Sequence, residues 1–220
     1  MTHLRHATWT LTLAALLLTI KGYAYASQPS DNQPTQEDQS VAQQITQATA
    51  RMHTLTCGFT QTKQMAFLND ALTATGKMYF SDDGRLCWQY VAPYTYTFII
   101  NNDKVMMRSE QSTTQVDLKS NTLFQSIARI MMNSVSGRSI GKDSDFSVSI
   151  SSTPTTHIAV LTPLKTDMKK MFNHIDLHFD RKLQVVTQVD LYEKNGDTTQ
   201  IRLTDIRINQ PIDASVFAVH

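Results

Sequence analysis

The sequence predicts a mainly β domain with some α, built on an antiparallel sheet of about eleven short strands that curls beneath amphipathic helices. Three observations lead there. Apolar and polar residues alternate at period two through most of the stretch from Thr56 to Ile208. Turn chemistry separates these runs, as in Asp82-Asp83-Gly84, Asn101-Asn102-Asp103 and Asn195-Gly196-Asp197. Two segments switch to helical spacing, one before the first strand and one between the sixth and seventh.

Residues 1–26 read as an export signal. Arg5 gives the positive start, Leu11 to Ile20 the apolar run, and Ala24-Tyr25-Ala26 the small-x-small cleavage site. That run is short for a membrane span of about 20 residues. No Cys follows Ala26, so the expected product is released rather than lipid-anchored. Residues 27–36 are polar with Pro and Gln, a flexible linker. One domain is expected from residue 37 to residue 220.

Val41, Ile45, Ala48, Met52 and Leu55 mark one face of a first helix, with Asp38 or Ser40 as its cap. Strands are expected at roughly 56–66, 72–80, 85–91, 95–101, 104–109 and 113–118. A second helix carries Leu123, Ile127, Ile130 and Met131 on one face, followed by a polar loop to Asp145. Strands resume at about 146–151, 156–162, 172–179, 184–193 and 198–208, with Thr162-Pro163 and Asp180-Arg181-Lys182 as turns.

Charge excludes some partners. Of 20 Lys and Arg, Arg5 and Lys21 lie in residues 1–26, which hold no acidic residue; the remainder has 18 basic against 19 acidic groups. That balance gives no long-range pull toward nucleic acid or an anionic surface. The 7 Gly leave few loops that cradle phosphate, whereas the 10 Met suit adaptable apolar surfaces. Cys57 and Cys87 would meet an oxidising compartment. Successive hairpins set them opposite roughly Asp82 and Tyr79, facing opposite sides, which favours two buried thiols over a disulfide.

Alternation assigns faces. Leu86, Trp88 and Tyr90 share one; so do Tyr96, Phe98 and Ile100, then Ile175, Leu177 and Phe179, then Cys57, Phe59 and Gln61. A curled sheet with these residues inside, covered by two helices, is either packed solid or leaves a pocket for an apolar ligand.

Catalytic motifs are missing. There is no Gly-x-Ser-x-Gly, Walker loop, His-Glu-x-x-His or Cys-x-x-Cys. Ser139-x-x-Lys142 stands alone in a Gly loop. His174, Asp176, His178 and Asp180 alternate along one strand face, but ligands two apart on a strand sit about 7 Å apart, wide for one tetrahedral metal, so a solvated outer face is expected. No metal or other cofactor is expected. Lys165, Lys169 and Lys170 read as a wet loop or a docking patch.

The collected landmarks resemble the outer-membrane lipoprotein carrier (LolA) family, in its Bacteroides-type form. They are the helix ending near Leu55, Phe59-Thr-Gln61, Gly76-x-Met-Tyr, Leu86-Cys-Trp-Gln-Tyr-Val-Ala-Pro93, Phe98-Ile, Leu161-Thr-Pro163, Ile175-Asp-Leu-His-Phe-Asp180 and Phe217. The resemblance implies a half-barrel around an apolar cavity and a role in carrying triacylated lipoproteins. An inner-membrane ABC complex would load it, and an outer-membrane acceptor is a further implied partner. The protein would act as a periplasmic monomer. Leu86 and Trp88 would lie on the sleeve wall, and the helix from Leu123 to Met132 would be the lid. Well-studied members fasten that lid with an Arg six residues before the Trp. Asp82 stands there in this chain, and Arg85 is the candidate substitute.

Other functions remain open on the residues alone. A carrier of glycolipid or polyene lipid needs the same sleeve. An envelope-stress sensor uses the same sheet, usually with a further C-terminal domain. An enzyme would need a metal at His174 and His178.

Overall fold

The computed structural model describes residues 36–120, 131–133, 140 and 145–219. The export signal, the linker up to residue 35, the helix positions Leu123, Ile127 and Ile130, and the Ser139-x-x-Lys142 motif lie outside these residues. Among the described residues, eleven strands make one sheet, antiparallel at every pairing. In chain order they are β1 Thr54–Gln64, β2 Leu72–Ser81, β3 Arg85–Ala92, β4 Tyr96–Asn101, β5 Lys104–Ser109, β6 Thr113–Asp117, β7 Phe146–Ser152, β8 Thr156–Pro163, β9 Phe172–Asp180, β10 Val185–Glu193 and β11 Thr198–Ile208.

The order across the sheet is β6-β5-β4-β3-β2-β1-β11-β10-β9-β8-β7. Two meanders therefore meet where the first strand pairs with the last. The sheet stays open, with β6 and β7 as its edges. These edges are neighbours in sequence, so the chain between them passes from one edge of the sheet to the other.

Helix α1 spans Gln36–Thr49 and packs on β7 and β10. Val41 and Ile45, one turn apart, are its buried apolar residues, as the spacing predicts, and Thr49 is buried one turn further on. It starts earlier than expected, so Asp38 and Ser40 lie within it rather than capping it. It also ends earlier. Ala50, Arg51 and Met52 close tight turns onto Thr46, Ala48 and Thr49, and Thr49 Oγ1 donates back to the Ile45 carbonyl at 2.9 Å. The β-branched residues Thr54 and Thr56 then favour a strand, so Leu55 belongs to β1.

The inner face of the sheet buries two apolar clusters. One centres on β1 to β5 with Phe80, Leu86, Trp88, Phe98 and Ile100. The other centres on β8 to β10 with Leu161, Ile175, Leu177 and Phe179, covered by Val41 and Ile45 of α1. Val189 and Leu191 pack against both and make the apolar surface continuous. Each fully buried side chain of this size contributes roughly 1.5–3 kcal/mol.

A third cluster lies on the outer face. Cys87, Ile99 and Met106 alternate away from the inner residues and are covered by Phe217, with Ile212, Val216 and Val219 beside it. Asp213 starts the short 3-10 turn Ala214–Phe217 by accepting from Ser215 N at 2.8 Å. Asn209 fixes the chain leaving β11: its Oδ1 accepts from His53 N at 2.8 Å and its Nδ2 donates to Arg51 O at 3.0 Å.

Two further readings are corrected. Residues 166–171, expected as wet loop, form a short helix, α2 Thr166–Met171, whose Met168 is buried beside Leu161. Thr162-Pro163 is no turn; both belong to β8, and Pro163 pairs opposite Phe146.

Candidate functional site: the inner apolar face

The site is built by register. Phe80, Leu86, Ile100 and Val105 stand opposite one another across β2 to β5. Met78, Trp88, Phe98 and Met107 make the next row, and Gly76, Tyr90 and Tyr96 the one after. Phe59 enters that last row from β1, directly opposite Gly76. Its ring packs 4.3 Å from the Trp88 ring and edge-on to Tyr90 at 5.3 Å. The structure thus brings Phe59, Leu86, Trp88, Tyr90, Phe98 and Ile100 into one buried surface. Met131, half-buried, packs against it together with Met132. Ile175 and Leu177 lie in the neighbouring cluster of the same face.

Alternation from Gly76 through Met78 to Phe80 is the signal for two wall residues, Met78 and Phe80, that the list of candidates lacks. A cavity of about 30 Å³ sits against this surface, lined by Leu55, Met78, Trp88, Val186, Val189, Ile201 and Leu203. That is about the space of one water. An acyl chain would therefore have to displace side chains to enter there.

The face is not uniformly apolar. Along β1 the inward residues run Leu55, Cys57, Phe59, Gln61, Lys63. The Tyr90 hydroxyl donates to Gln61 Oε1 at 2.8 Å. Burial, with Tyr94 adding to it, raises the Tyr90 pKa and keeps the phenol protonated. Lys63 Nζ, buried, meets Glu193 Oε1 at 2.9 Å and Asp197 Oδ2 at 3.3 Å. The sheet thus passes from greasy to polar toward the β1–β2 turn.

Arg85 is not brought to this face. Leu86 points inward, so Arg85 points outward, where it pairs with Asp83 at 2.6 Å and lies 4.8 Å over the Phe217 ring. Asp82 accepts from His53 at 2.8 Å. The pairing expected for Cys57 is shifted by a few residues: Met78, not Asp82, is its partner, whereas Cys87 does stand opposite Tyr79. Both thiols are free and buried, on opposite faces of the sheet.

His174, Asp176 and His178 are on the outer face, half-buried rather than solvated. His174 stacks on Tyr192 at 4.1 Å and His178 Nε2 meets Asp190 Oδ2 at 2.9 Å. Burial raises the Asp176 pKa against the pull of both histidines. Burial also opposes the charge on Asp190, but hydrogen bonds from His178, Gln188 and Gln200 outweigh it and lower that pKa. Among the described residues no three His, Cys, Asp or Glu side chains converge for a metal.

An open antiparallel sheet of eleven strands with a continuous apolar inner face defines a half-barrel fold. The family model for the outer membrane lipoprotein carrier protein LolA matches residues 50–220, and the chain belongs to that family. No curated protein matches it at a significant level. Two of the similar solved structures share the fold at a TM-score of 0.50 or above. MucB superposes with TM-score 0.51 at 10% identity, covering 86% of this chain and 65% of MucB. An uncharacterized conserved protein from Thermus thermophilus gives 0.50 at 7% identity, over 84% of this chain and 95% of its own. A LolA superfamily protein from Nitrosomonas europaea gives 0.44 at 7% identity, covering 83% and 97%.

Proposed function

We propose that this protein is a periplasmic carrier that shields the acyl chains of lipoproteins on their way from the inner to the outer membrane. The observation that carries this reading is the continuous inner apolar face, spread over both meanders of an open sheet. Membership of the lipoprotein carrier family supports it. The physics does too. An acyl chain in water costs about 0.8 kcal/mol per CH₂, so crossing an aqueous compartment requires an apolar sleeve.

Closed, the face is covered by Val41 and Ile45 on one side and by Met131 and Met132 on the other. Thioether side chains are flexible and repack at low cost. In the proposed cycle the turn of helix that carries Met131 and Met132 moves off the sheet and lets acyl chains replace its apolar contacts. That exchange of like for like needs little net energy. An inner-membrane ABC complex would deliver the cargo, and an outer-membrane acceptor would take it.

Native mass spectrometry tests this. A one-to-one complex with an acylated lipopeptide, and none with the same peptide unacylated, is the expected result. Equal binding of both peptides, or of neither, would reject the reading.

A further inference from the structure

Among the described residues the large apolar side chains that stand exposed are Phe67, Leu68, Val91, Leu164 and Leu183. Exposed side chains scattered singly are ordinary on a protein surface. Their placement here is not scattered. Phe67, Leu68, Val91 and Leu164 lie at the end of the sheet where β1 turns into β2, and Leu183 lies at the other end, between β9 and β10. Phe67 is 79% exposed and Leu68 39%, side by side at the tip of the β1–β2 loop.

That tip is braced. Leu68 N donates to the Met65 carbonyl at 3.0 Å, and Gln64 Nε2 donates to the Leu68 carbonyl at 2.7 Å. From behind, Ala66 N donates to Asp197 Oδ1 at 3.0 Å. Asp197 is buried and is itself met by Lys63 at 3.3 Å, beside Glu193. Taking three charged groups this far out of water is costly, and here the cluster fixes the backbone of the loop. The neighbouring segments continue the same rim. A Cβ at Gly196 would stand 3.2 Å from the Ala66 Cβ, so the β10–β11 turn lies against the loop. Lys194 N donates to the Met171 carbonyl at 2.9 Å, which joins that turn to the end of α2. The rim thus runs from Phe67 and Leu68, past Lys194, to α2 and Leu164 just before it.

Charge on the rim is mainly of one sign. Lys165, Lys169, Lys170 and Lys194 are exposed along it, against the exposed carboxylates of Asp70 and Asp167. Lys165 meets Asp145 at 2.7 Å and Lys170 meets Asp167 at 3.7 Å. Lys169 and Lys194 have no ion pair among the described residues. Apolar tips beside long cationic side chains match a bilayer interface, where rings and Leu side chains reach the acyl boundary and ammonium groups stay with the phosphates. A pocket on a protein would fit one continuous apolar patch, whereas here lysines part Leu164 from Phe67. We propose that this rim docks on an anionic phospholipid bilayer, with Phe67 and Leu68 inserted and Lys169 and Lys194 at the phosphates. The near-zero net charge gives no long-range attraction, so the lysines act only at contact, within a Debye length of about 10 Å. The inference goes beyond the carrier reading and does not rest on it, since docking needs no cargo. With so little apolar surface it is weak and reversible, short of an anchor.

Vesicle flotation tests it, with the chain from residue 27 to residue 220 free of cargo. The vesicles are phosphatidylcholine alone and an equal mixture with phosphatidylglycerol. The expected result at low salt is about tenfold tighter binding to the anionic vesicles, a ratio that falls toward one in Lys169→Gln/Lys194→Gln. Phe67→Ser/Leu68→Ser should weaken anionic binding about tenfold with an unchanged urea midpoint, because both side chains are exposed. Leu183→Ser removes a side chain 50% exposed at the opposite end and should leave binding as it was. In Phe67→Trp, brominated lipid should quench the added indole, a reading that needs no loss of binding. Failure of the wild type to float would overturn the inference in favour of a protein pocket for the tip. Equal binding to both vesicles would overturn it too, as would binding that survives Phe67→Ser/Leu68→Ser, falls equally in Leu183→Ser, or leaves the indole at residue 67 unquenched. None of these results touches the carrier reading, which the lipopeptide complexes decide separately.

Discussion

The Phe59 ring occupies the space above Gly76 that a side chain at residue 76 would need. A Cβ there would stand 2.4 Å from Phe59 Cζ and 2.1 Å from the Gln89 carbonyl oxygen. The second contact is backbone and cannot swing away. Gly76→Ala should therefore cost about 2 kcal/mol or more, read as a lower urea midpoint. Trimming the ring in Gly76→Ala/Phe59→Leu should not restore it, since the carbonyl remains. A midpoint equal to wild type would show that the two strands pack differently.

The buried thiols make the fold sensitive to alkali. Burial pushes Cys57 from 9.0 up to about 12 and Cys87 up to about 11. In the unfolded chain both ionise near 9.0, before the folded thiols do. Their contribution is fully present below that pH and is lost as pH rises toward 11–12, at about 1.4 kcal/mol per pH unit for each thiol. Urea titrations at stepped pH should show this fall, and Cys57→Ala should make it shallower. Alkylation should reach neither thiol in the native protein and both in urea. Rapid native alkylation would contradict their burial.

Asp176 opposes Asp190 across β9 and β10, and among the described residues each has a buried oxygen without a hydrogen-bond partner. The folded state raises the pKa of Asp176, so its ionised form works against folding. Stability from this group falls as pH rises from 3.8 through the raised folded value. Asp176→Asn removes that cost at neutral pH and gains nothing in acid, where the wild-type carboxyl is protonated. The midpoint difference between the two proteins should shrink as pH falls. Asp190→Asn should instead cost stability at neutral pH, because the hydrogen bonds from His178 and Gln188 stabilise the charge, and that cost should likewise shrink in acid.

Phe217 anchors the C-terminal segment over Cys87, Ile99 and Met106, and its carbonyl accepts from Asn101 Nδ2 at 3.0 Å. Phe217→Ala should cost about 3–5 kcal/mol and expose residues 209–219 to limited proteolysis. A loss below about 1 kcal/mol would mean that the outer cluster is held by other contacts.

The strands were legible because period-two patterning needs only a buried face and a wet one. Leu86, Trp88 and Tyr90 therefore fell on the right side of β3, and Phe98 and Ile100 on that of β4. Patterning fails where an element is short or both faces are buried. Residues 166–171 offer only Met168 and Met171 beside two lysines, too little for a period, although one buried side chain, Met168, suffices to seat that helix. Cys87 and Ile99 lie on the face opposite Trp88 and Phe98, and what buries them was hidden because the segment that covers them arrives more than a hundred residues later. Arg85 was a neighbour of Trp88 in sequence but not in space, since odd spacing on a strand means opposite faces. The polar end of the inner face was hidden for another reason: Lys63 looks like a surface residue until Glu193 and Asp197 come from β10 and the following turn to meet it.

A release assay tests the central claim most directly. Spheroplasts displaying labelled nascent lipoprotein would be incubated with the chain from residue 27 to residue 220, and the supernatant probed for cargo bound to it. The sleeve assignment predicts soluble one-to-one cargo complexes that depend on acylation and on an intact inner face. Cargo that stays on the membrane while a known carrier releases it in the same assay would contradict it.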